Sequence, residues 1–71
     1  MAQVEIFKTN VTDHHNAVQV LLHLQPAFPG KMFNFDLEDC DCILRVEGTA
    51  IDISQILKAV HELGYSCEPI H

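Results

Sequence analysis

Apolar and polar positions alternate along this chain in two distinct periods. Val4-Glu5-Ile6-Phe7-Lys8 fits a short strand, with Phe7 making both faces partly apolar. Thr9-Asn10-Val11-Thr12-Asp13 is a turn-and-cap cluster, in which Thr12 or Asp13 can accept hydrogen bonds from the free amides of a helix starting near His14. Ala17, Val20, Leu21, Leu24 and Phe28 then recur at three- and four-residue spacing, the stripe of an amphipathic helix. Pro26 is expected to end it, since proline lacks an amide proton and clashes with the preceding turn. Pro29-Gly30 turns the chain.

In Met32–Leu37 the residues Phe33, Phe35 and Leu37 alternate with polar partners, the pattern of a half-buried strand. Glu38-Asp39-Cys40-Asp41 reads as a reversal and Cys42–Glu47 as the returning strand of a hairpin, closed by Gly48-Thr49. By period-two parity Cys40 and Cys42 share a side with Leu44 and Val46, the expected core side. The second helix has the strongest pattern. Asp52 is its N-cap, Gln55 stands at capping-box spacing, and Ile51 can staple onto Ile56. Ile53, Ile56, Leu57, Val60 and Leu63 repeat as one apolar stripe, and Gly64 occupies the place of a left-handed C-terminal cap. Tyr65–Ile70 is expected to form a last strand, with Pro69 tolerable near an edge. The order β-α-β-β-α-β, with short connections and right-handed crossovers, predicts an α+β ferredoxin-like sandwich. In that fold two helices cover one face of a four-stranded antiparallel sheet.

Composition narrows the chemistry. The 71 residues have room for a single domain spanning 1–71. A chain this short buries about 60% of its unfolded surface, which leaves little for a deep, water-excluding active site. Ten acids face four Lys and Arg, a formal charge of −6. That balance argues against nucleic acid and anionic membranes, which need a basic footprint, and favours a cation or a basic protein surface. No apolar run approaches a membrane span, and no basic-then-apolar signal segment follows Met1, so a cytoplasmic location is expected. Three cysteines, Cys40, Cys42 and Cys67, are an odd number for a closed disulfide framework, so reduced thiols are expected.

The residues from Val11-Thr12 to the tail resemble the heavy-metal-associated domain of copper chaperones and metal-transporting ATPases, over nearly the whole chain. Val11-Thr12 resembles the Met-Thr that leads into that family's metal loop. Val20 and Leu24 fall where its first helix is apolar, and Phe28-Pro29-Gly30 followed by Phe33–Leu37 is similar to its turn and second strand. Ile56–Tyr65, closing on Gly64-Tyr65, resembles its second helix. The resemblance implies a Cys-x-x-Cys pair binding Cu(I) or Zn(II) in the first loop. Here the aligned positions are Asp13 and Asn16, with His14 and His15 between them. Soft Cu(I) prefers thiolate over such oxygens, and both residues are better explained as helix N-terminal caps.

Cys40-x-Cys42 is the remaining paired-thiol feature, and two sulfurs on one side of a strand could reach one soft ion. Asp36, Glu38, Asp39 and Asp41 attract cations there but oppose thiolate formation, and a free cysteine also serves as a small buried hydrophobe. The same acids lack the spacing and central glycine of an EF-hand and suit a solvated turn that keeps the sheet edge from pairing. Of five histidines, His14 and His15 diverge by about 100° on a helix, and His23 lies about 12 Å along the axis from His15. Together with His61 on the polar side of the second helix, they read as surface residues. Ser54 and Ser66 belong to no nucleophile motif, Cys67 faces the core, and Gly30, Gly48 and Gly64 form no phosphate loop. Two functions follow. The first is a non-catalytic binding or regulatory module without a cofactor, which docks a protein partner or pairs with itself through its open sheet edges. The second is a soft-metal carrier using Cys40 and Cys42. A redox role for Cys40 fits less well, because acidic neighbours lower the thiolate fraction.

Overall fold

The computed structural model describes residues 2–70. Six elements follow in the order expected: β1 (Gln3–Thr9), α1 (His14–Ala27), β2 (Met32–Asp36), β3 (Ile43–Gly48), α2 (Ile53–Glu62) and β4 (Cys67–Pro69). The strands form one antiparallel sheet in the order β2-β3-β1-β4, which with this element order is the ferredoxin-like α+β fold. The shortest dimension, 17 Å, matches one sheet and one layer of helices.

Strand parity sorts the two faces. Phe7 of β1, Leu44 and Val46 of β3, and Phe33 of β2 point to the helix side, where Ala17, Val20 and Leu24 of α1 and Ile56 and Val60 of α2 complete the buried core. Register places Phe7 opposite Leu44 and Phe33 opposite Val46, so the core runs across the three strands β2, β3 and β1. The opposite parity leaves Val4, Ile6 and Met32 on the open face, with Met32 66% exposed.

Both helices start on an aspartate. The Asp52 Oδ1 accepts the amide of Gln55 at 3.2 Å, and Ile51 is half-buried against the core. At the other end of α2, Gly64 (φ +94°) supplies the left-handed residue that a side chain would strain. Its amide donates to the His61 carbonyl and that of Tyr65 to the Val60 carbonyl, the paired bonds of a Schellman cap.

Element boundaries differ from the sequence pattern, beyond one-residue shifts at the ends of β1 and β2. α1 continues past Pro26 to Ala27, with Phe28 as its C-cap and its amide bonded to Leu24 O. In a last turn, proline's missing proton removes one bond, that to Leu22, whose side chain is exposed to solvent. β3 begins at Ile43 rather than Cys42. β4 spans Cys67–Pro69 rather than Tyr65–Ile70, because Tyr65 closes the α2 cap and the Ser66 amide is taken by Asn10 Oδ1 at 2.8 Å. Pro69 does sit on an edge strand, where its lack of an amide proton is tolerated.

Candidate functional site

The loop between β1 and α1 is organised by Asp13. Its backbone is extended (φ −121°, ψ 154°), and its Oδ2 accepts the Asn16 amide at 3.1 Å. Asn16 Nδ2 in turn donates to Asp13 Oδ1 at 2.6 Å, and Ala17 N donates to the Asp13 carbonyl at 3.0 Å. Of the two expected caps, then, Asp13 is the one used. Asp13 and Asn16 are spent on each other and on the first helical turn. Both are oxygen or amide groups serving a helix N-terminus, which also favours the negative charge of Asp13. His14 and His15 are exposed beside them.

In the hairpin, Asp36 Oδ1 accepts the Glu38 amide at 3.2 Å and Asp39 Oδ1 accepts the Asp41 amide at 2.8 Å. These are Asx turns, local bonds that aspartate makes in reversals. Cys42 N donates to Asp39 O at 3.0 Å and closes a four-residue turn. Lys8 pairs with Ile43, yet the amide of Thr9 goes to Asp41 O at 3.2 Å, so Cys42 is an extra residue that bulges out of the ladder. Its φ of +49° is the left-handed conformation such a bulge requires. The expected parity of Cys40 and Cys42 with Leu44 and Val46 is therefore corrected. Cys40 is exposed on the turn and Cys42 half-buried at the bulge, because an inserted residue breaks the period of two. Among the described residues, Asp39, Cys40 and Asp41 bring one ligand atom each within 4.8 Å of one another, and Cys42 is not part of that group.

Thr9 holds this hairpin to β1. It is 6% exposed, its Oγ1 donates to the Cys42 carbonyl at 2.6 Å, and the same oxygen accepts the Val11 amide at 3.2 Å. Lys8 adds a loose ion pair to Asp41 at 3.8 Å. Sequence reasoning placed Thr9 in a turn cluster. No local signal marks a hydroxyl whose partner lies 33 residues away.

His23 is exposed, and His71 lies outside the described residues. His61 has a partner that the pattern did not reveal. Its Nε2 donates to the Cys67 carbonyl at 3.1 Å and ties α2 to β4. Cys67 is buried as expected. Burial, with the Glu68 carboxylate beside it, pushes its thiol from 9.0 up to about 12, so it stays protonated at neutral pH. An open groove of about 400 Å³ lies between α1 and the outer edge of β2, with Val18, Leu21, Phe35 and Leu37 as its apolar wall and His14, Asp36 and Glu38 at one end.

Among the described residues, no helix is long and apolar enough to cross a membrane. Comparison of the chain with protein-family models, with curated proteins and with solved structures finds no match.

Proposed function

We propose that this chain is a non-catalytic binding or regulatory module, built on a scaffold resembling the heavy-metal-associated domain, in which a capped helix start replaces the metal loop. One observation carries the reading. Asp13 and Asn16, the residues at the ligand positions, are hydrogen-bonded to each other at 2.6 Å and to the α1 backbone at 3.1 Å. A metal at that loop would have to displace the bonds that start the helix, and the donors offered are too hard for Cu(I).

The soft-metal carrier has less support. It needs two thiolates on one ion, whereas Cys40 clusters with two carboxylates and Cys42 stands apart at a bulge. Native mass spectrometry of the reduced protein, with Cu(I) or Zn(II) added and then mildly chelated, tests the choice. The module reading expects bare protein. Stoichiometric metal on the wild type, lost in Cys40→Ser with Cys42→Ser, would overturn it in favour of the carrier.

A further inference from the structure

The two edges of the sheet are not alike. β4 offers three residues, one of them Pro69, which has no amide proton to give an added strand. β2 offers five, Met32-Phe33-Asn34-Phe35-Asp36, with no proline, no lysine and no bulge, and its one charge, Asp36, with the acidic turn beyond it, guards only the C-terminal end of the edge.

The ladder fixes which peptide groups that edge presents. Ile70 N donates to Ile6 O, so Ile6 and Lys8 turn their peptide groups toward β4, and Phe7 turns toward β3. Through the Phe7–Leu44 pairing, Leu44 and Val46 turn toward β1, and Ile43, Arg45 and Glu47 toward β2. Met32, Asn34 and Asp36 are their partners. The amides and carbonyls of Phe33 and Phe35 therefore face outward, away from β3.

We propose that the β2 edge pairs antiparallel with the β2 edge of a second copy, about a two-fold axis at Asn34, to give a continuous eight-stranded sheet. This deepens the binding-module reading and rests on it, by naming the partner as a second copy. In this register Phe33 of each copy exchanges both backbone hydrogen bonds with Phe35 of the other. Met32 stands opposite Asp36, and Asn34 opposite Asn34. Lys31 comes to lie opposite Leu37, between Asp36 and Glu38 of the second copy.

Charge favours this partner. The edge is basic at one end, Lys31, and acidic at the other, Asp36 and Glu38, so antiparallel pairing matches unlike ends. It also keeps the two acidic hairpins apart. The Asp36 positions are four residues out of step, about 14 Å along the strands, against a Debye length of about 8 Å at physiological salt. That separation matters for a chain carrying −6. The same pairing brings the two α1 helices together over the grooves beside β2 and covers Val18, which is 37% exposed. One strand pair and a helix contact place the interface among weak, reversible ones.

The test is sedimentation equilibrium in chelator and reductant, over protein concentrations up to about 1 mM, the range in which weak dimers appear. Two substitutions on the same exposed face add the same charge. Asn34→Lys sets two ammonium groups against each other across the axis. Met32→Lys sets each one opposite Asp36. Wild type is expected to show a monomer–dimer equilibrium, weakened about two- to fivefold by Asn34→Lys, which makes one like-charge pair on the axis, and tightened several-fold to about tenfold by Met32→Lys, whose pair with Asp36 occurs twice by symmetry. A wild type monomeric throughout would overturn the proposal, and the edge would then be open to a strand of another protein. So would both variants shifting the equilibrium the same way, since general relief of the −6 charge acts equally on both. Chelator keeps this result separate from the metal test. A retained metal defeats the module reading without touching the register, and a strict monomer defeats the register alone.

Discussion

The loop before α1 can be asked directly whether it sits on a metal-domain scaffold. Asp13→Cys with Asn16→Cys, in a Cys40→Ser, Cys42→Ser background, places two thiols at the positions that the proposed resemblance assigns to metal ligands. Without metal the pair should cost stability. The Asp13 carboxylate loses the Asn16 amide at 3.1 Å and the Asn16 side chain at 2.6 Å, a cap worth about 1 kcal/mol. α1 has no other acid in its first turn, so the favourable charge at the helix N-terminus goes too, for roughly 0.3–1 kcal/mol more. The sum, about 1–2 kcal/mol, lowers Tm by about 5–15 °C in a domain of this size. A fold of 71 residues is stable by about 4–10 kcal/mol, so the variant should remain folded.

Adding Cu(I) should reverse the sign. The two side chains already touch across one helical turn, and thiols at a helix N-terminus ionise more readily than free ones. A ligand at about 100 times its Kd adds about 2.7 kcal/mol, more than the lost cap. Thermal melts with and without Cu(I), in parallel with native mass spectrometry, read both halves. The expected result is a lower apo Tm, a raised metal-loaded Tm and one retained ion, with no metal effect on the wild type. A folded, reduced variant that retains no copper would refute the reasoning, because two thiols in a true metal-loop geometry cannot avoid a thiophilic ion.

Other outcomes follow from individual residues. Ala50 holds φ +52°, a conformation that costs a side chain about 1 kcal/mol, so Ala50→Gly should raise Tm by several degrees; an unchanged or lower Tm contradicts the strain. Thr9→Val keeps the volume but strands the Cys42 carbonyl and the Val11 amide, and should lower urea-unfolding stability by about 1–3 kcal/mol with an unchanged m value. Cys67 titrates near 9.0 unfolded but at about 12 folded. Above pH 9 the unfolded chain therefore holds fewer protons at this site, and stability falls with rising pH, by up to about 1.4 kcal/mol per unit. The contribution is intact below pH 9. The urea midpoint of Cys67→Val should thus depend less on pH between 9 and 11 than that of the wild type, and equal slopes would show that the thiol is not buried.

The parts of the fold that could be read from the residues are those written locally. Asp52, Gln55 and Gly64 define α2 from within thirteen residues, and the Asp52 carboxylate bond to the Gln55 amide and the paired bonds around Gly64 are present. The stripes at Ala17, Val20 and Leu24 and at Ile56 and Val60 name the helical half of the core, because a period of 3.6 needs no information from elsewhere. The hairpin pairs as expected, but the parity of its thiols failed for the opposite reason. Whether Cys40 and Cys42 share a face depends on one bulged residue, and that bulge is held by Thr9, from a strand far away in sequence. The same holds for the start of β4, set by Asn10 from 56 residues away, whereas His61 reaches the Cys67 carbonyl only six residues on, across a chain reversal that helical periodicity does not describe. The candidate site divides along this line. Asp13 and Asn16 were legible as a cap, while the thiols were misplaced by a parity rule that an inserted residue cancels.

The charge of −6 is also directional, and that gives the two modes of association opposite responses to salt. Asp36, Glu38, Asp39 and Asp41 sit in one hairpin, and the groove beside β2 brings His14, next to Asp13, to Asp36 and Glu38. Five of the ten acids thus share one end of the molecule, with Lys8 paired to Asp41 as their basic neighbour. Antiparallel pairing of β2 edges points these ends away from each other. Apart from the exposed contacts of Lys31 with Asp36 and Glu38 across the axis, which contribute little each, what remains between the copies is the long-range repulsion of two chains of like charge, which salt screens. A basic partner docked on the acidic end is held by the attraction that salt removes. Raising salt from about 10 mM to 150 mM shortens the Debye length from about 30 Å to 8 Å. The self-association constant should therefore rise over that range. Self-association that instead fell steeply with salt would mean that unlike charges hold the interface, with the acidic end of one copy against a basic patch of the other, and not the backbone of two β2 strands.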